Sequence, residues 1–402
     1  MEMVSGGVCA PKGFKAAGIN CGIRKKGKKD LALIVSEKKA AAAGVYTKNL
    51  VKGAPIIVTQ KNIQDGYARA VICNSGNANT CNTNGIEIAE AMCSLVESSL
   101  GIACSDVAVA STGVIGQKLS IEPIAAGMDA LISALGDNSD DAAEAIMTTD
   151  TVKKQVALRF DLQGKSTVIG GIAKGSGMIH PDMATMLSFI TTDASISPEM
   201  LKKALVYAVS DSFNMISVDR DTSTNDTVLV LANGMAENEA IDSEGSAFDT
   251  FKSALFEVCS SLSRSIAKDG EGAGKLLTCS VTGAKTKDDA RKIAKSVICS
   301  PLLKCAMFGA DANWGRVLCA LGYAGAETDI SKVSVSFKSE AGEIKVCENG
   351  GGLDFSEELA KKILSCEEIE ILISLQDGEY TATAWGCDLS YEYVRINGDY
   401  RS

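Results

Sequence analysis

The 402-residue sequence predicts an α+β or α/β fold with layered sheets. Apolar runs typical of β-strands alternate with helical patterns along the chain. Hydrophobic residues make up 46% of the sequence, which is enough for a large buried core. No long Pro/Ser linker, charge block or fixed-period repeat interrupts this alternation, so composition shows no subdomain boundary.

Strands are predicted where short apolar runs end in turn residues. In chain order, these runs cover 106–111, 166–173, 185–194 and 226–234, and then the segments KVSVSF, EIKVC, EIEILISL and YTATAWGC. The first run is followed by TGVIG, which predicts a turn over 112–116.

Three helices are predicted from capping signals and amphipathic spacing. They cover 197–213, 246–267 and 286–298. Ser197 is the candidate N-cap of the first helix, and Pro198 occupies its first turn. Thr286 is the candidate N-cap of the third helix and precedes two aspartates in its first turn. The second helix is closed by the glycine-rich segment KDGEGAG.

Charge and hydropathy argue against nucleic-acid and membrane partners. The chain has 40 Lys and Arg against 50 Asp and Glu, a net charge of −10, whereas nucleic-acid binding favours a basic face. No run of about 18 apolar residues occurs. The first residues also lack the basic flank and apolar core of a signal peptide, so a cytoplasmic protein is predicted.

The cysteine and histidine content argues against a metal site. Fourteen cysteines occur without C-x-x-C spacing, and one histidine is available as a partner ligand. Free thiols in a reducing compartment are therefore expected. The glycine-rich segments 170–177 and 269–277 do not match the phosphate-binding P-loop pattern, so no nucleotide cofactor is predicted.

The segment KGSGMIHPDMATML contains that histidine, His180, and a small-residue/hydroxyl pair, Ala184 and Thr185. His180 is one candidate base for a nucleophile. A second base would arise if the Ala184–Thr185 bond were cut, because the new α-amine, with a pKa near ~8, could deprotonate the Thr185 hydroxyl. The same hydroxyl could make the cut by attacking the Ala184 carbonyl. The Ala-Thr pair alone is too common to choose between these interpretations.

The extended segment KGSGMIHPDMATMLSFITTDA resembles the signature of the ornithine acetyltransferases, the ArgJ family of arginine biosynthesis. Further blocks match in the family's order: NSGNAN, STGVIG, TTDT, DTSTNDTVLVLANG, DGEGA, FGADANWGRVLCALG and WGCDLSYEYVRINGDYRS. The resemblance therefore covers the chain almost from end to end.

This resemblance implies an α/β layered sandwich, with stacked β-sheets flanked by helices, that differs from the classical N-terminal-nucleophile hydrolases. It implies self-cleavage between Ala184 and Thr185. The products would be an α chain, 1–184, which carries the oxyanion-hole turn, and a β chain, 185–402, which starts with the nucleophile. Two α and two β chains would form a heterotetramer.

The implied reaction moves an acetyl group from N-acetylornithine to glutamate through acetyl-Thr185. Some family members also accept acetyl-CoA, and no other cofactor is implied. Thr112 and Gly113 match the oxyanion hole. The substrate-binding positions are Thr148, Lys174, Thr185, Glu271, Asn397 and Ser402. Lys174 can hold a carboxylate and Glu271 can face an ammonium group.

The sequence departs from the family pattern at a few positions. Ser402 stands where the family usually ends in threonine, and the hydroxyl is kept. Gly274 replaces a threonine close to Glu271, and His180 is alanine in many relatives. The main alternative is a self-processing amidohydrolase or aminopeptidase of related fold, which passes its acyl group to water. A non-enzymatic binding protein is the second alternative. The use of acetyl-CoA, arginine inhibition and a role for His180 stay open at this point.

Overall fold

A computed structural model describes residues 1–24, 27–180 and 186–398. Ala184, Thr185 and Ser402 lie outside the described residues. The strands are β1 (Glu2–Val4), β2 (Phe14–Ile19), β3 (Leu31–Tyr46), β4 (Tyr67–Asn77), β5 (Val107–Val114), β6 (Lys154–Leu162), β7 (Lys165–Lys174), β8 (Leu187–Thr192), β9 (Ile216–Ser217), β10 (Thr227–Ala232), β11 (Leu276–Ala284), β12 (Ser334–Ser339), β13 (Gly342–Glu348), β14 (Gly351–Gly352), β15 (Glu368–Ser374) and β16 (Tyr380–Cys387). The α-helices are α1 (Ala54–Asn62), α2 (Gly85–Leu100), α3 (Glu122–Ser133), α4 (Ser139–Ala145), α5 (Pro198–Ser210), α6 (Ser246–Lys268), α7 (Lys287–Cys299), α8 (Pro301–Phe308), α9 (Trp314–Gly322), α10 (Glu357–Leu364) and α11 (Tyr391–Asn397).

The first sheet has the strand order β1-β6-β7-β8-β10-β3-β4-β5, and β2 pairs with β3. Most neighbours are antiparallel, but β8 and β10 are parallel, as are β4 and β5. The long strand β3 holds this sheet together, because β4 lies along one edge while β2 and β10 share the other edge.

The second sheet has the order β14-β13-β12-β15-β11-β16-β9. Helix α6 connects the two sheets, since it packs against β6 and β7 of the first and against β11 and β16 of the second. Its buried residues, which include Phe251, Leu255 and Leu262, belong to one hydrophobic core that extends from the first sheet into the second. The predicted layered α/β sandwich is therefore confirmed.

The predicted helix starts are confirmed by their capping contacts. Ser197 accepts a hydrogen bond from the Met200 backbone N–H, and Thr286 accepts one from that of Asp289. Each bond satisfies one of the amide groups that the first turn of a helix leaves without a partner. Helix α5 ends at Ser210, three residues earlier than predicted, and a short 3-10 turn follows.

The predicted turn over 112–116 is wrong in its first residues. Strand β5 continues to Val114, because Thr112 and Gly113 keep pairing with Ser75 and Gly76 of β4. The oxyanion-hole candidates therefore lie at the end of a strand and not in a loop. No helix in the described part of the chain is both long enough and apolar enough to cross a bilayer.

Candidate active site

A cleft opens beside the first sheet. It brings together every sequence-predicted site residue that the structure describes: Thr112, Gly113, Thr148, Lys174, Glu271 and Asn397. These residues come from distant parts of the chain, so the fold alone assembles them.

The end of β5 supplies two hydrogen-bond donors. Gly113 has φ +130°, and a Cβ at this position would come within 2.3 Å of the Gly76 carbonyl carbon, so only glycine fits. The Lys174 Nζ lies 3.4 Å from the Thr112 hydroxyl oxygen and donates to it. The Thr112 hydroxyl can therefore donate a hydrogen bond to an acceptor in the cleft. A hydroxyl beside a backbone N–H is an arrangement that can stabilise an oxyanion.

Lys174 is the last residue of β7 and is 8% exposed. Burial lowers the pKa of its ammonium group, while the negative charges of Asp150, Asp226 and Glu271 act in the opposite direction. Burial alone would raise the pKa of Asp150, but Lys174 and Lys154 together lower it to about 2. Asp150 is therefore ionised at neutral pH and balances the two buried lysines.

Asp150 and Lys154 form an ion network beneath the cleft. The Lys154 Nζ lies 2.7 Å from Asp150 Oδ1 and 2.6 Å from Asp269 Oδ2. Asp150 also accepts hydrogen bonds from the backbone N–H groups of Gly175 and Thr148, at 2.7 and 3.0 Å. The network thus fixes the backbone of two cleft segments, one before β6 and one after β7.

Glu271 also lines the cleft. Its Oε2 accepts a hydrogen bond from the Asn397 Nδ2 at 2.8 Å, and its backbone N–H donates to the Ser176 carbonyl at 2.8 Å. Gly177 makes room for the carboxylate, because a Cβ there would lie 2.3 Å from the Glu271 Cδ. A cationic and an anionic side chain therefore share one cleft, which suits an amino acid with both charges.

The TSTNDT segment contributes cleft residues that the sequence motifs did not single out as site residues. Asn225 donates to the Ser111 carbonyl at 2.9 Å and accepts from the hydroxyls of Thr80 and Thr224, both at 2.6 Å. Asp226 follows and also lines the cleft. The sequence signals were the match of this segment to a family block and its run of polar residues directly before an apolar strand.

The remaining predicted residues lie at the margin of the described structure or outside it. Met186 and Leu187 line the cleft, so the chain that follows Thr185 directly borders it. Ala184, Thr185 and Ser402 themselves are outside the described residues. His180 Nδ1 lies 3.1 Å from the Ser217 hydroxyl and 3.5 Å from the Cys299 sulfur, and His180 does not line the cleft. Within the described ranges, no cluster of three or more His, Cys, Asp or Glu residues could hold a metal ion.

Comparison with known proteins identifies the family of the chain. The model of the ArgJ family matches residues 15–402. The chain is a member of the ArgJ family. It is 52% identical to the arginine biosynthesis bifunctional protein ArgJ of Caldanaerobacter subterraneus subsp. tengcongensis, over 100% of both chains. It is 47% identical to the protein of the same name from Bacillus subtilis, over 99% of this chain and 97% of the relative.

A solved ArgJ structure shares the fold. The crystal structure of the arginine biosynthesis bifunctional protein ArgJ from Bacillus halodurans is 43% identical, with a TM-score of 0.50. The match covers 53% of this chain and 98% of the solved polypeptide. The resemblance seen in the sequence motifs is thereby confirmed at the level of the ArgJ family.

Proposed function

We propose that the chain is an acyltransferase of arginine biosynthesis that moves the acetyl group of N2-acetyl-L-ornithine to L-glutamate through an ester on Thr185. One observation carries this proposal: a single cleft contains an oxyanion-type donor pair and two opposite charges, and it is bordered by the residue that follows Thr185. Membership of the ArgJ family supports it, since the relatives are named as enzymes of arginine biosynthesis.

The chemistry divides into two half-reactions. In the first, the Thr185 hydroxyl gives its proton to the Thr185 α-amine and attacks the acetyl carbonyl, Thr112 and Gly113 stabilise the developing oxyanion, and ornithine takes up that proton as it leaves as the amine. In the second, the amine of glutamate attacks the acetyl ester through the same type of intermediate, the ester bond breaks, and the proton lost by the amine returns to the Thr185 oxygen. Lys174 would hold a substrate carboxylate and Glu271 a substrate ammonium group. The transfer changes the oxidation state of no atom, so the reaction needs no redox cofactor.

Self-cleavage before Thr185 is part of the proposal. The products 1–184 and 185–402 would have to stay together to keep the cleft complete, because Thr112 and Lys174 belong to the first and Glu271 and Asn397 to the second. The solved relative supports a cut chain: its polypeptide corresponds to about half of this one, and 185–402 is a little over half. We further propose the family's assembly of two α and two β chains.

Two further features complete the proposal. The relatives carry the word bifunctional in their names, which supports acetyl-CoA as a second acetyl donor. All 14 cysteines, which all lie in the described ranges, are free thiols. Free thiols agree with a reducing compartment and support a cytoplasmic location.

A donor and acceptor panel tests the function. The purified protein is incubated with N-acetylornithine or acetyl-CoA, each with and without glutamate, and N-acetylglutamate, ornithine and acetate are quantified. We expect N-acetylglutamate and ornithine in equal amounts, and none from the Thr185→Ala variant. Release of acetate with no N-acetylglutamate would identify the hydrolase alternative instead.

A further inference from the structure

Asp226 is a buried carboxyl group for which the proposed half-reactions above have no role. It directly precedes β10, is 1% exposed, and lines the cleft. Its Oδ2 is buried and has no hydrogen-bond partner in the described structure. Buried carboxyl oxygens are normally paired, so a buried oxygen without a partner beside a cleft indicates that a ligand or a reacting group completes its bonding.

The position of Asp226 is fixed by main-chain bonds on both sides. Its carbonyl accepts from the Thr47 backbone N–H at 3.1 Å, and the next amide, that of Thr227, donates to the Met186 carbonyl at 2.9 Å. Strand β10 is parallel to β8, with Thr227 opposite Leu187. Asp226 is therefore adjacent in the sheet to the first described residue after the cleavage point.

The groups packed around Asp226, which lines the cleft, leave its buried Oδ2 without a hydrogen-bond partner in the described structure. The Ser223 and Thr47 hydroxyls and Lys174, at the end of β7, act to lower the pKa of the carboxyl group. Glu271 lies in the same cleft and acts on Lys174. Burial raises the pKa of Asp226 well above its usual range, and these partners offset only part of that effect. Asp226 can therefore bind and release a proton under conditions in which an ordinary aspartate stays ionised.

We propose that Asp226 exchanges a proton with an amino group in the cleft, through its unpartnered Oδ2. This inference rests on the proposed acetyl transfer, in which one amine leaves and another attacks. When an ammonium group meets the Asp226 carboxylate, the N–H bond breaks, an O–H bond forms on Oδ2, and the electron pair stays on the nitrogen. The free amine is then nucleophilic. The reverse step returns the proton to the amine that leaves.

Two amino groups have this chemistry: the α-amine released at Thr185 by cleavage, and the α-amine of ornithine or glutamate. An acetyl donor that has no amine distinguishes between these two amino groups. With p-nitrophenyl acetate, acetylation of Thr185 uses only the protein's own amine. With N-acetylornithine and glutamate, the substrate amines take part as well.

The test compares the cleaved enzyme with its Asp226→Asn variant. The asparagine side chain keeps the shape of aspartate but cannot gain or lose a proton. Asp193→Asn is the matched control. Asp193 is 0% exposed at the other end of β8, its pKa is also raised by burial, and it is bonded to the amides of Val168 and Lys12, away from the cleft. For each protein, we measure across pH the rate of acetyl transfer to glutamate, the rate of acetylation by p-nitrophenyl acetate, the Tm and the extent of cleavage.

We expect Asp226→Asn to reduce kcat for acetyl transfer by about 10²-fold or more, with loss of the acid limb of the pH profile, while Asp193→Asn keeps both. A matching loss with p-nitrophenyl acetate assigns the partner as the Thr185 amine, and a loss confined to N-acetylornithine and glutamate assigns it as the substrate amine. Unchanged kinetics, or equal losses in both variants with a lowered Tm, overturn the proposal. Absence of transfer by the wild-type protein would instead overturn the proposed function.

A second variant keeps the inference testable if Asp226→Asn fails to fold. Ser223→Ala removes a hydroxyl that stabilises the ionised Asp226, so the pKa of the carboxyl group rises further. The acid limb of kcat should therefore move to higher pH in this variant. An acid limb at the wild-type pH contradicts the assignment.

Discussion

Replacing Thr112 by alanine removes one of the two proposed oxyanion donors and little else. The hydroxyl receives a single long contact, 3.4 Å from the Lys174 Nζ, and the residue remains on a paired strand. Lys174 lies within range of the negative charges of Asp150, Asp226 and Glu271, so loss of the hydroxyl leaves the ammonium group with compensating charges. The folded structure should therefore tolerate the change.

The effect on catalysis should be much larger than the effect on binding. Removing one oxyanion donor typically lowers kcat by ~10²–10³-fold, or about 2.7–4 kcal/mol of transition-state stabilisation. The carbonyl oxygen of bound substrate carries less charge than the oxyanion, so KM should change little. Self-cleavage should slow as well, because it passes through a similar tetrahedral intermediate.

The assay is steady-state transfer from N-acetylornithine to glutamate, with cleavage followed on denaturing gels and Tm followed by calorimetry. Thr112→Ser is the control, because it keeps the hydroxyl and loses only a methyl group, and it should retain most of the activity. An unchanged kcat with a raised KM in Thr112→Ala would refute the reasoning and make Thr112 a binding residue.

The other predictions concern maturation, His180, the kinetic mechanism and the buried ion network. The purified protein should run as two pieces, and the second should begin Thr-Met-Leu-Ser on N-terminal sequencing; an intact chain with full activity contradicts the free-amine mechanism. His180→Ala should keep most of the turnover, since this side chain contacts Ser217 and Cys299 and not the cleft, whereas a loss of ~10²-fold would restore imidazole as the base. Initial rates should give parallel double-reciprocal lines, and N-acetylornithine alone should add one acetyl mass to the 185–402 chain; intersecting lines with no acetylated chain indicate direct transfer. Lys154→Met should lower stability by about 3–5 kcal/mol in denaturant unfolding, because two buried carboxylates lose their partner, and a change below about 1 kcal/mol would show that the pair is dispensable.

Acid should weaken the fold through the same network. The pKa of Asp150 is about 2 in the folded protein, below the value near ~3.9 of an unfolded chain. Its contribution to stability is therefore present above about pH 4 and is lost as the pH falls towards 2. The difference in Tm between wild type and Asp150→Asn should shrink over this range, and a constant difference argues against ionic stabilisation.

Local signals in the sequence predicted local structure well. Ser197 and Thr286 cap their helices as expected, because a cap depends on a few neighbouring residues. The predicted strand YTATAWGC coincides with β16. By contrast, β3 contains four consecutive alanines and the segment SEKK, which favour a helix, yet it forms a strand because β2, β4 and β10 pair along its edges.

The site was predictable as far as motifs named its residues, and the structure places the described ones around one cleft. Two features depended on burial, which the sequence does not display. The pair Asp150 and Lys154 has the spacing of an ordinary surface ion pair, but both side chains are fully buried. Asp226 looks like a turn residue before a strand, and only the fold shows that it lines the cleft and that one of its oxygens is buried without a partner.

The position of the proposed cut in the sheet explains how one chain can become two without losing its site. Strands β7 and β8 flank the cut and pair with each other from Ile169 opposite Thr192 to Lys174 opposite Leu187. On its other side, β8 pairs with β10 along its whole length. Cutting before Thr185 therefore breaks one covalent bond in a connection whose neighbouring strands are already held by main-chain hydrogen bonds. Met186, the first described residue after the cut, lines the cleft, while Thr112 and Lys174 are held by the sheet on the other side of the cut.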